Sequence, residues 1–208
     1  MVNFYLIRHA ECENNLANYL IGGRSNHSPL TTKGAKQAEL LGRRLTEERV
    51  NFDEIYSSTA VRARDTAKIV AGKIQFSEEK IILSESLLEL DQGDWQGRKK
   101  SEIYTPEMLA IINPAQPHFK APNGESQYEV GKRMLNCLEE IIANKNEQLN
   151  VAVFTHGIAI KCLLRELLNF HPDNVYKLPI DNTSITELVY YADCWQVERI
   201  NDATHLKN

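Results

Sequence analysis

The sequence lacks the apolar run of about 18 residues that a membrane-spanning helix requires. It also lacks an excess of positive charge. The 208 residues carry a net charge of −4 with a pI near 5.9, which excludes an overall basic field able to hold nucleic acid. Any anion site must therefore be a local group of arginines. The chain shows no basic segment followed by an apolar signal core, so we expect no secretory signal, no membrane partner and a cytoplasmic protein.

Cysteine is also scarce. The four cysteines are widely spaced and form no CxxC pair, which favours free thiols in a reducing compartment over a disulfide framework or a zinc site. They are Cys12, Cys137, Cys162 and Cys194.

The composition is that of one folded domain. Hydrophobic residues make up 42% of the chain and charged residues 25%, which is ordinary for a globular protein. Because the chain has no internal repeat, low-complexity tract or linker, we predict a single domain over residues 1–208. Within it, residues 98–123 are interrupted by prolines and form a candidate lid over a site.

Hydrophobic patterning predicts alternating strands and helices. The predicted strands span residues 4–7, 52–56, 81–83, 151–154, 185–191 and 195–200, the last two as a hairpin at a sheet edge. The predicted helices span residues 31–48, 60–70, 101–112, 124–141 and 157–168. Thr31 or Thr32 is expected to cap the first helix, and Ser58 or Thr59 the second. The polar stretch 144–148 is predicted to end the fourth helix, and the tail from residue 201 to be loose.

The first strand runs directly into Arg8 and His9. In open α/β sheets, ligands bind at the carboxyl ends of the strands, so both side chains would lie where a ligand binds. Arginine suits phosphate, and histidine can act as a nucleophile or a base. The alternative is that both residues are simply the polar end of a strand.

A second histidine and a second arginine occupy comparable places. His156 follows the strand at 151–154 and directly precedes a helix, where anions are favoured. Arg62 falls in the first turn of the helix at 60–70, where a cation opposes the helix dipole and is better explained by a bound anion. Taken singly, His156 could be structural and Arg62 could pair with Asp65. Together with Arg8 and His9 they predict one pocket.

Two loops could complete such a pocket. Residues 22–29 form a polar, glycine-containing loop that is a natural pocket wall. Arg24 is a candidate rim residue, and a solvated surface position explains it equally well. In the acidic stretch 84–97, Glu89 lies between Leu88 and Leu90, which indicates a partly desolvated carboxylate suited to proton donation. Spacing alone does not single out one carboxylate there.

These motifs, taken in order, resemble the histidine phosphatase superfamily, also called phosphoglycerate mutase-like, in its phosphatase branch. The matching segments cover nearly the whole chain: Arg8-His9-Ala10-Glu11-Cys12, Asn15, Pro29-Leu30-Thr31-Thr32-Lys33-Gly34, Ser58-Thr59-Ala60-Val61-Arg62-Ala63-Arg64-Asp65-Thr66-Ala67, Glu89-Leu90-Asp91-Gln92-Gly93-Asp94-Trp95-Gln96-Gly97, Gly124-Glu125-Ser126 and His156-Gly157. The family fold implies a three-layer α/β/α sandwich with a mostly parallel central sheet.

The resemblance implies a role for each matched residue. His9 would be the nucleophile that becomes phosphohistidine, and Glu89 would protonate the leaving oxygen and later deprotonate water. Phosphoryl oxygens would be held by Arg8, Arg62, Asn15 and His156, with Gly157 also at the substrate. No metal and no cofactor are implied, because the arginines and the second histidine neutralise the phosphoryl charge.

Two positions depart from the family pattern. Ala10 replaces a glycine, so the backbone there must avoid angles that only glycine adopts. Cys12 replaces a hydroxyl residue, which would weaken one hydrogen bond near the site.

The expected activity is hydrolysis of a small phosphorylated metabolite. The segment between the acidic loop and Gly124-Glu125-Ser126 is shorter than in the mutases of the family, which should admit water. The alternatives are a cofactor-dependent phosphoglycerate mutase and, from another class, a non-catalytic module that binds phosphorylated ligands. The sequence indicates neither the particular substrate nor the oligomeric state.

Overall fold

The computed structural model describes residues 1–143 and 148–207. The strands are β1 (Val2–Arg8), β2 (Glu54–Ser58), β3 (Ile82–Ser84), β4 (Leu149–Thr155), β5 (Ile185–Tyr191) and β6 (Cys194–Asp202). The α-helices are α1 (Glu13–Leu16), α2 (Thr32–Glu47), α3 (Val61–Lys73), α4 (Lys100–Ile103), α5 (Pro106–Ala115), α6 (Gln127–Ala143) and α7 (Gly157–Leu168). Residues 144–147, within the stretch predicted to end α6, lie outside the described residues.

The strands form one sheet in the order β3-β2-β4-β1-β5-β6. The four strands β3, β2, β4 and β1 are parallel, whereas β5 runs antiparallel to β1 and forms a hairpin with β6. The mostly parallel sheet and the hairpin at its edge confirm the predictions. Because β1 and β4 are adjacent and parallel, their carboxyl ends meet at the same edge.

The core lies on both faces of this sheet. Phe4 and Leu6 of β1 pack in one apolar cluster with residues of α6 and α7. Tyr5 and Ile7, which alternate with them, pack in a second cluster with residues of α2 and α3. A strand covered on both faces explains why β1 reads as a continuous apolar run. The structure is thus the predicted three-layer α/β/α sandwich.

Polar side chains set where the helices α2 and α6 begin. Thr31 is the N-cap of α2, and its hydroxyl accepts the N–H of Gly34 at 2.9 Å. Ser126 and Glu129 cap α6 reciprocally, each side chain accepting the other's backbone N–H. The predicted cap of α3 is wrong: its N-cap is Ala60, without a side-chain cap bond.

The helix predicted over residues 101–112 is in fact two, α4 and α5. Thr105 separates them and caps α5, and Pro106 occupies its first position. A residue before proline avoids the helical region, so one continuous helix could not pass through Thr105.

For the described residues 201–207, the prediction of a loose tail is also wrong. Strand β6 continues to Asp202, whose carboxylate binds Arg44 of α2, and His205 is buried in a 3-10 turn over Thr204–Leu206. The Arg44 guanidinium lowers the pKa of Asp202 below its usual range. The sequence pattern predicts a loose segment because the residues that bind it, Arg44 and Thr183, are distant in sequence. No helix in the described part of the chain is long and apolar enough to cross a bilayer.

Candidate active site

The ends of β1 and β4 bring two histidines together. Arg8 lies opposite Thr155 in the register, and the N–H of His9 donates to the carbonyl of Thr155 at 2.9 Å. His156, the next residue along β4, therefore stands beside His9. The centroids of the two imidazole rings are 5.1 Å apart.

The His9 ring is held in one tautomer. Its Nδ1 lies 2.7 Å from the carbonyl oxygen of Ala10, which can only accept, so Nδ1 carries the proton. Nε2 then has a free lone pair and accepts the Nε–H of Arg62 at 3.2 Å. Burial, together with the charges of Arg62 and Arg8, lowers the pKa of His9 well below that of an ordinary histidine. The ring is therefore neutral and its Nε2 is unprotonated, as a nucleophile requires.

Arg62 is 3% exposed and is fixed by backbone carbonyls. Its Nη1 donates to the carbonyls of Arg24 and Ser25, both at 2.9 Å, and its Nη2 to that of Gly23 at 3.4 Å. Burial lowers the pKa of Arg62, and the charge of Glu89 opposes that effect. The loop at 23–25 therefore aims a desolvated cation at His9.

Arg8 is held from the other side. Its Nη1 donates to the carbonyl of Ile180 at 2.6 Å, while its Nε is buried without a hydrogen-bond partner among the described residues. Burial lowers the pKa of Arg8. A Cβ at Gly157 would lie 3.4 Å from the Arg8 Nε, so the glycine gives the guanidinium room at the start of α7.

His156 is fully buried at the N-cap of α7. Its Nε2 lies 2.9 Å from the hydroxyl of Ser58, and its Nδ1 has no partner among the described residues. Burial and the nearby charge of Arg62 lower the pKa of His156 well below the usual value. In the tautomer whose Nε2 accepts from Ser58, the neutral ring carries its proton on Nδ1, which is then free to donate to an anion.

Glu89 is anchored at the same helix end. Its carboxylate accepts the backbone N–H groups of Ile158 at 3.1 Å, Ala159 at 3.0 Å and Leu90 at 2.9 Å. Its carbonyl accepts from Nη2 of Arg133 at 3.2 Å. These bonds place the Glu89 carboxylate at the N-terminal turn of α7, which directly follows His156.

Arg133 braces this loop through a second carboxylate. Its Nε and Nη2 donate to the two oxygens of Glu125, at 2.7 and 3.0 Å, and its Nη1 donates to the carbonyl of Ser86 at 2.8 Å. A bidentate pair of this kind fixes geometry as well as charge.

The two positions that depart from the family pattern are Cys12, which is bound to Asn15, and Ala10, which is bound to Thr66. Asn15 contacts the first of them. Its Oδ1 accepts the N–H of Cys12 at 3.0 Å and the Cys12 thiol at 3.4 Å, a weak bond where a hydroxyl would donate better. The backbone of Ala10 stays outside the left-handed region, and its N–H donates to Thr66 at 2.9 Å. The methyl group of Ala10 is thus accommodated without strain.

Arg24 is placed differently from the other candidates. Its guanidinium faces two carboxylates, Asp91 at 3.4 Å and Glu125 at 3.7 Å, so its charge is already compensated. Its carbonyl, rather than its side chain, contacts Arg62. The alternative partner considered for Arg62, Asp65, instead pairs with Arg64 at 3.6 Å.

A cavity of about 660 Å³ opens next to these groups, a size typical of pockets for organic ligands. Arg8, Asn15 and Glu89 line it, and so do both Gly22 and Gly23 of the loop predicted as a wall. The segment 98–123 supplies much of the remaining lining. Aromatic side chains are prominent in the lining, namely Trp95, Tyr104, Phe119 and Tyr176. Amides are equally prominent, namely Asn14, Asn18, Gln92, Asn113, Gln116 and Gln127.

Sequence reasoning missed several residues that hold the site. Ser58 and Arg133 act on His156 and Glu89, and Asn182 donates to the carbonyl of His9 at 2.8 Å. The Tyr176 hydroxyl accepts from Gln127 at 3.0 Å in the cavity wall, and burial raises its pKa to about 12. Only Ser58 carried a signal, since it stands inside a matched motif.

The fold and the site together define a class of protein: an α/β/α sandwich with Arg8, His9 and His156 at the ends of two neighbouring parallel strands and Arg62 in the first turn of a helix, facing His9. The model of the histidine phosphatase superfamily (branch 1) matches residues 4–203, and the chain belongs to that family.

Three relatives illustrate the range of the match. A probable phosphoglycerate mutase GpmB from Proteus mirabilis is 31% identical over 214 residues, covering 99% of this chain and 95% of the relative. The structure of YhfR from Bacillus stearothermophilus superposes with a TM-score of 0.85 at 32% identity, covering 99% of this chain and 100% of that one. A phosphoserine phosphatase mutant from Entamoeba histolytica, solved in complex with phosphoserine, has a TM-score of 0.83 at 27% identity and the same coverage.

Proposed function

We propose that this protein is a phosphomonoesterase that works through a phosphohistidine on His9. The observation that carries the proposal is the state of the His9 ring. Nδ1–H is locked onto the Ala10 carbonyl, the pKa is depressed, and the Nε2 lone pair faces the guanidinium of Arg62. A neutral, oriented imidazole next to a cation is the arrangement that nucleophilic attack on a phosphate ester needs.

In the first step Nε2 of His9 forms a bond to phosphorus while the bond from phosphorus to the ester oxygen breaks. Protonated Glu89 gives its proton to the departing oxygen. Arg8, Arg62, Asn15 and the Nδ1–H of His156 stabilise the charge spread over the phosphoryl oxygens. The Nε of Arg8 and the Nδ1 of His156, both buried without partners among the described residues, are the donors that phosphate would satisfy.

In the second step water attacks phosphorus and Glu89, now a carboxylate, takes a proton from it. The bond between phosphorus and Nε2 breaks, which releases inorganic phosphate and restores neutral His9. Arg8 and Arg62 supply positive charge and neutral His156 supplies a hydrogen bond throughout, so this route calls on no metal and no cofactor.

Hydrolysis is favoured over phosphoglycerate mutase activity by the charges of the cavity. A mutase must retain a bisphosphorylated carboxylate while the phosphoryl group returns, which requires a second group of cations. Among the described lining residues the cations are Arg8 and Lys100, opposed by Glu89 and Glu125. The aromatic and amide lining suits an ester with an uncharged leaving group larger than a phosphoglycerate.

Phosphoglycerate mutase stays the second candidate because the GpmB relatives carry that name. Segment length does not separate the two activities, since this chain spans 95% of the P. mirabilis relative and cannot differ from it by a long insertion.

The decisive experiment measures the products and the intermediate together. Purified protein is incubated with 3-phosphoglycerate and with a panel of phosphate esters, and free phosphate and 2-phosphoglycerate are quantified. With the native protein we expect release of free phosphate and a phosphoenzyme that can be trapped by rapid quenching. We expect neither with His9→Ala. His171→Ala, which alters an exposed histidine paired with Asp173, is the matched control and should keep the native rate. Accumulation of 2-phosphoglycerate would establish the mutase, and full activity in His9→Ala would exclude His9 as the nucleophile.

A further inference from the structure

The loop at 180–184, which enters β5, wraps around the end of β1. The N–H of Thr183 donates to the carbonyl of Arg8 at 3.0 Å, and the N–H of Arg8 donates to the carbonyl of Ser184 at 3.3 Å. The Arg8 guanidinium binds the carbonyl of Ile180. This loop is thus bonded to both the backbone and the side chain of Arg8.

Asn182 reaches from this loop to the nucleophile. Its Nδ2 donates to the carbonyl oxygen of His9 at 2.8 Å and lies 3.4 Å from Oδ1 of Asn15. The remaining groups of His9 are bound elsewhere, its N–H to Thr155, its Nδ1 to Ala10 and its Nε2 to Arg62. Asn182 therefore holds the carbonyl side of the peptide after His9, whose other side, the N–H of Ala10, donates to Thr66 at 2.9 Å.

Thr183 adopts a strained conformation to make this possible. It is fully buried with φ of +57°, in the left-handed region, where a β-branched residue is an outlier. Backbone strain of this kind persists only where surrounding contacts impose it, and it concentrates at functional sites.

The contact that holds Thr183 comes from the C-terminal tail. The Thr183 hydroxyl donates to the carbonyl of Asn182 at 2.7 Å, so it must accept from His205, whose Nε2 lies 2.9 Å away. His205 is 8% exposed, in the 3-10 turn at Thr204–Leu206. A path of direct hydrogen bonds thus runs from the tail through Thr183 and Asn182 to His9.

We propose that Asn182 is a positioning residue for the nucleophile and that His205, acting through Thr183, holds it in place. The inference rests on the proposed function, because it assumes that His9 attacks phosphorus. It assigns the tail at 203–206 a part in catalysis, although the tail touches none of the reacting groups.

The test separates chemistry from binding and from folding. Asn182→Ala removes the donor to His9 but leaves Arg8, Arg62 and His156 in place to bind phosphate. We expect kcat for p-nitrophenyl phosphate to fall about 10- to 100-fold, while inhibition by inorganic phosphate changes less than about threefold. The melting temperature is measured on the same samples.

The tail is tested by a conservative rescue. His205→Leu removes the donor to Thr183, whereas His205→Gln places an amide N–H near the position of Nε2. We expect His205→Leu to lower kcat in the same way, His205→Gln to restore most of it, and the double variant Asn182→Ala with His205→Leu to be no slower than Asn182→Ala alone. Tyr190→Phe, which removes an exposed bond to Asp193 on the same hairpin, is the control with native activity.

Two results would overturn the inference. One is a native kcat in Asn182→Ala. The other is a parallel loss of kcat, phosphate inhibition and melting temperature, which would mean that the loop only supports folding. His9→Ala is assayed alongside: if it stays active, the proposed function fails and the inference with it, whereas an inactive His9→Ala with a native Asn182→Ala rejects the positioning role alone.

Discussion

The Nε–H group of Arg62 donates a hydrogen bond to Nε2 of His9 across 3.2 Å. In the proposed mechanism this lone pair attacks phosphorus, so before substrate binds it is engaged by the cation that would hold the phosphoryl group. A phosphoryl oxygen that takes over the Arg62 donor frees Nε2 at the moment of binding. Three bonds to the carbonyls at 23–25 hold the guanidinium while this exchange takes place.

Arg62→Lys keeps the charge but cannot keep the fork of donors. The guanidinium uses Nε for His9 and its two Nη groups for the loop carbonyls, whereas the ammonium group of lysine has a single nitrogen and cannot reach both. We expect kcat/KM to fall by about 10²- to 10³-fold, the effect of losing one preorganised donor. Steady-state kinetics on p-nitrophenyl phosphate measures it. Arg64→Lys, on the same helix in a half-exposed pair with Asp65, is the control and should be native-like. A native rate in Arg62→Lys would show that charge alone suffices.

Glu89→Gln tests proton transfer to the leaving group. The amide keeps the shape of the carboxylate but cannot donate an acidic proton. We expect kcat/KM, which reports the steps up to departure of the leaving group, to fall about 10²- to 10⁴-fold for esters of alcohols, which are poor leaving groups, and much less for p-nitrophenyl phosphate, whose phenolate leaves without help. The comparison of the two substrates is the measurement. Glu85→Gln, an exposed carboxylate four residues earlier, serves as the control. Equal losses on both substrates would assign Glu89 a role other than acid catalysis of departure.

The sequence predicted those parts of the site that belong to local patterns. Arg8 and His9 end a continuous apolar strand, and His156 ends another, so the parallel sheet brings them to one edge. Arg62 lies in the first turn of a helix, where a cation opposes the helix dipole, and this position predicts a site nearby. In the structure its guanidinium faces the buried imidazole of His9.

The parts that could not be predicted depend on pairs far apart in the chain. Asn182 and His9 are 173 positions apart, and an asparagine in a polar loop carries no sign of such a partner. The same holds for Arg133 beside Glu89 and for Arg44 beside Asp202. Likewise, nothing in the sequence indicates that Arg24, the candidate rim residue, lies near the carboxylates of two other segments, Asp91 and Glu125.

The buried histidines predict how stability depends on pH. Burial is the main cause that lowers the pKa values of His9, His156 and His205, the last to about 4. An unfolded histidine titrates near 6.5, so below that pH the unfolded chain binds protons that the folded chain refuses, and stability falls as the pH falls. Above about pH 6.5 the histidines cause no loss of stability. Below it, the free energy of unfolding falls by at most about 1.4 kcal/mol per pH unit for each histidine.

Urea unfolding at pH 7.5, 6.5 and 5.5 measures this dependence. We expect the free energy of unfolding to decrease over this range, and the decrease to be shallower in His205→Gln, because one of the three groups no longer titrates. Tyr190→Phe, which changes no group that titrates between pH 5.5 and 7.5, should leave the slope unaltered. A slope in His205→Gln identical to that of the native protein would refute the contribution of the tail histidine.

The aromatic wall of the cavity predicts a preference among leaving groups. Phe119 packs beside Trp95, their ring centroids 5.5 Å apart, in the satellite apolar cluster formed with segment 98–123. Phe119→Ala removes apolar surface that a bulky leaving group would cover but leaves the phosphoryl end untouched. We expect kcat/KM for 1-naphthyl phosphate to fall about 5- to 30-fold, corresponding to about 1 to 2 kcal/mol of lost apolar contact.

The same variant should retain its activity on glycerol 2-phosphate, whose small leaving group does not need the wall. Tyr191→Ala, which removes an exposed aromatic side chain from the remote hairpin, controls for general effects of losing a ring. If Phe119→Ala affected both esters equally, segment 98–123 would act on the whole site, as a closing lid does, and the cavity would not select by the size of the leaving group. Selective loss on the naphthyl ester would instead place the leaving group against Phe119 and Trp95, where ring stacking adds to burial.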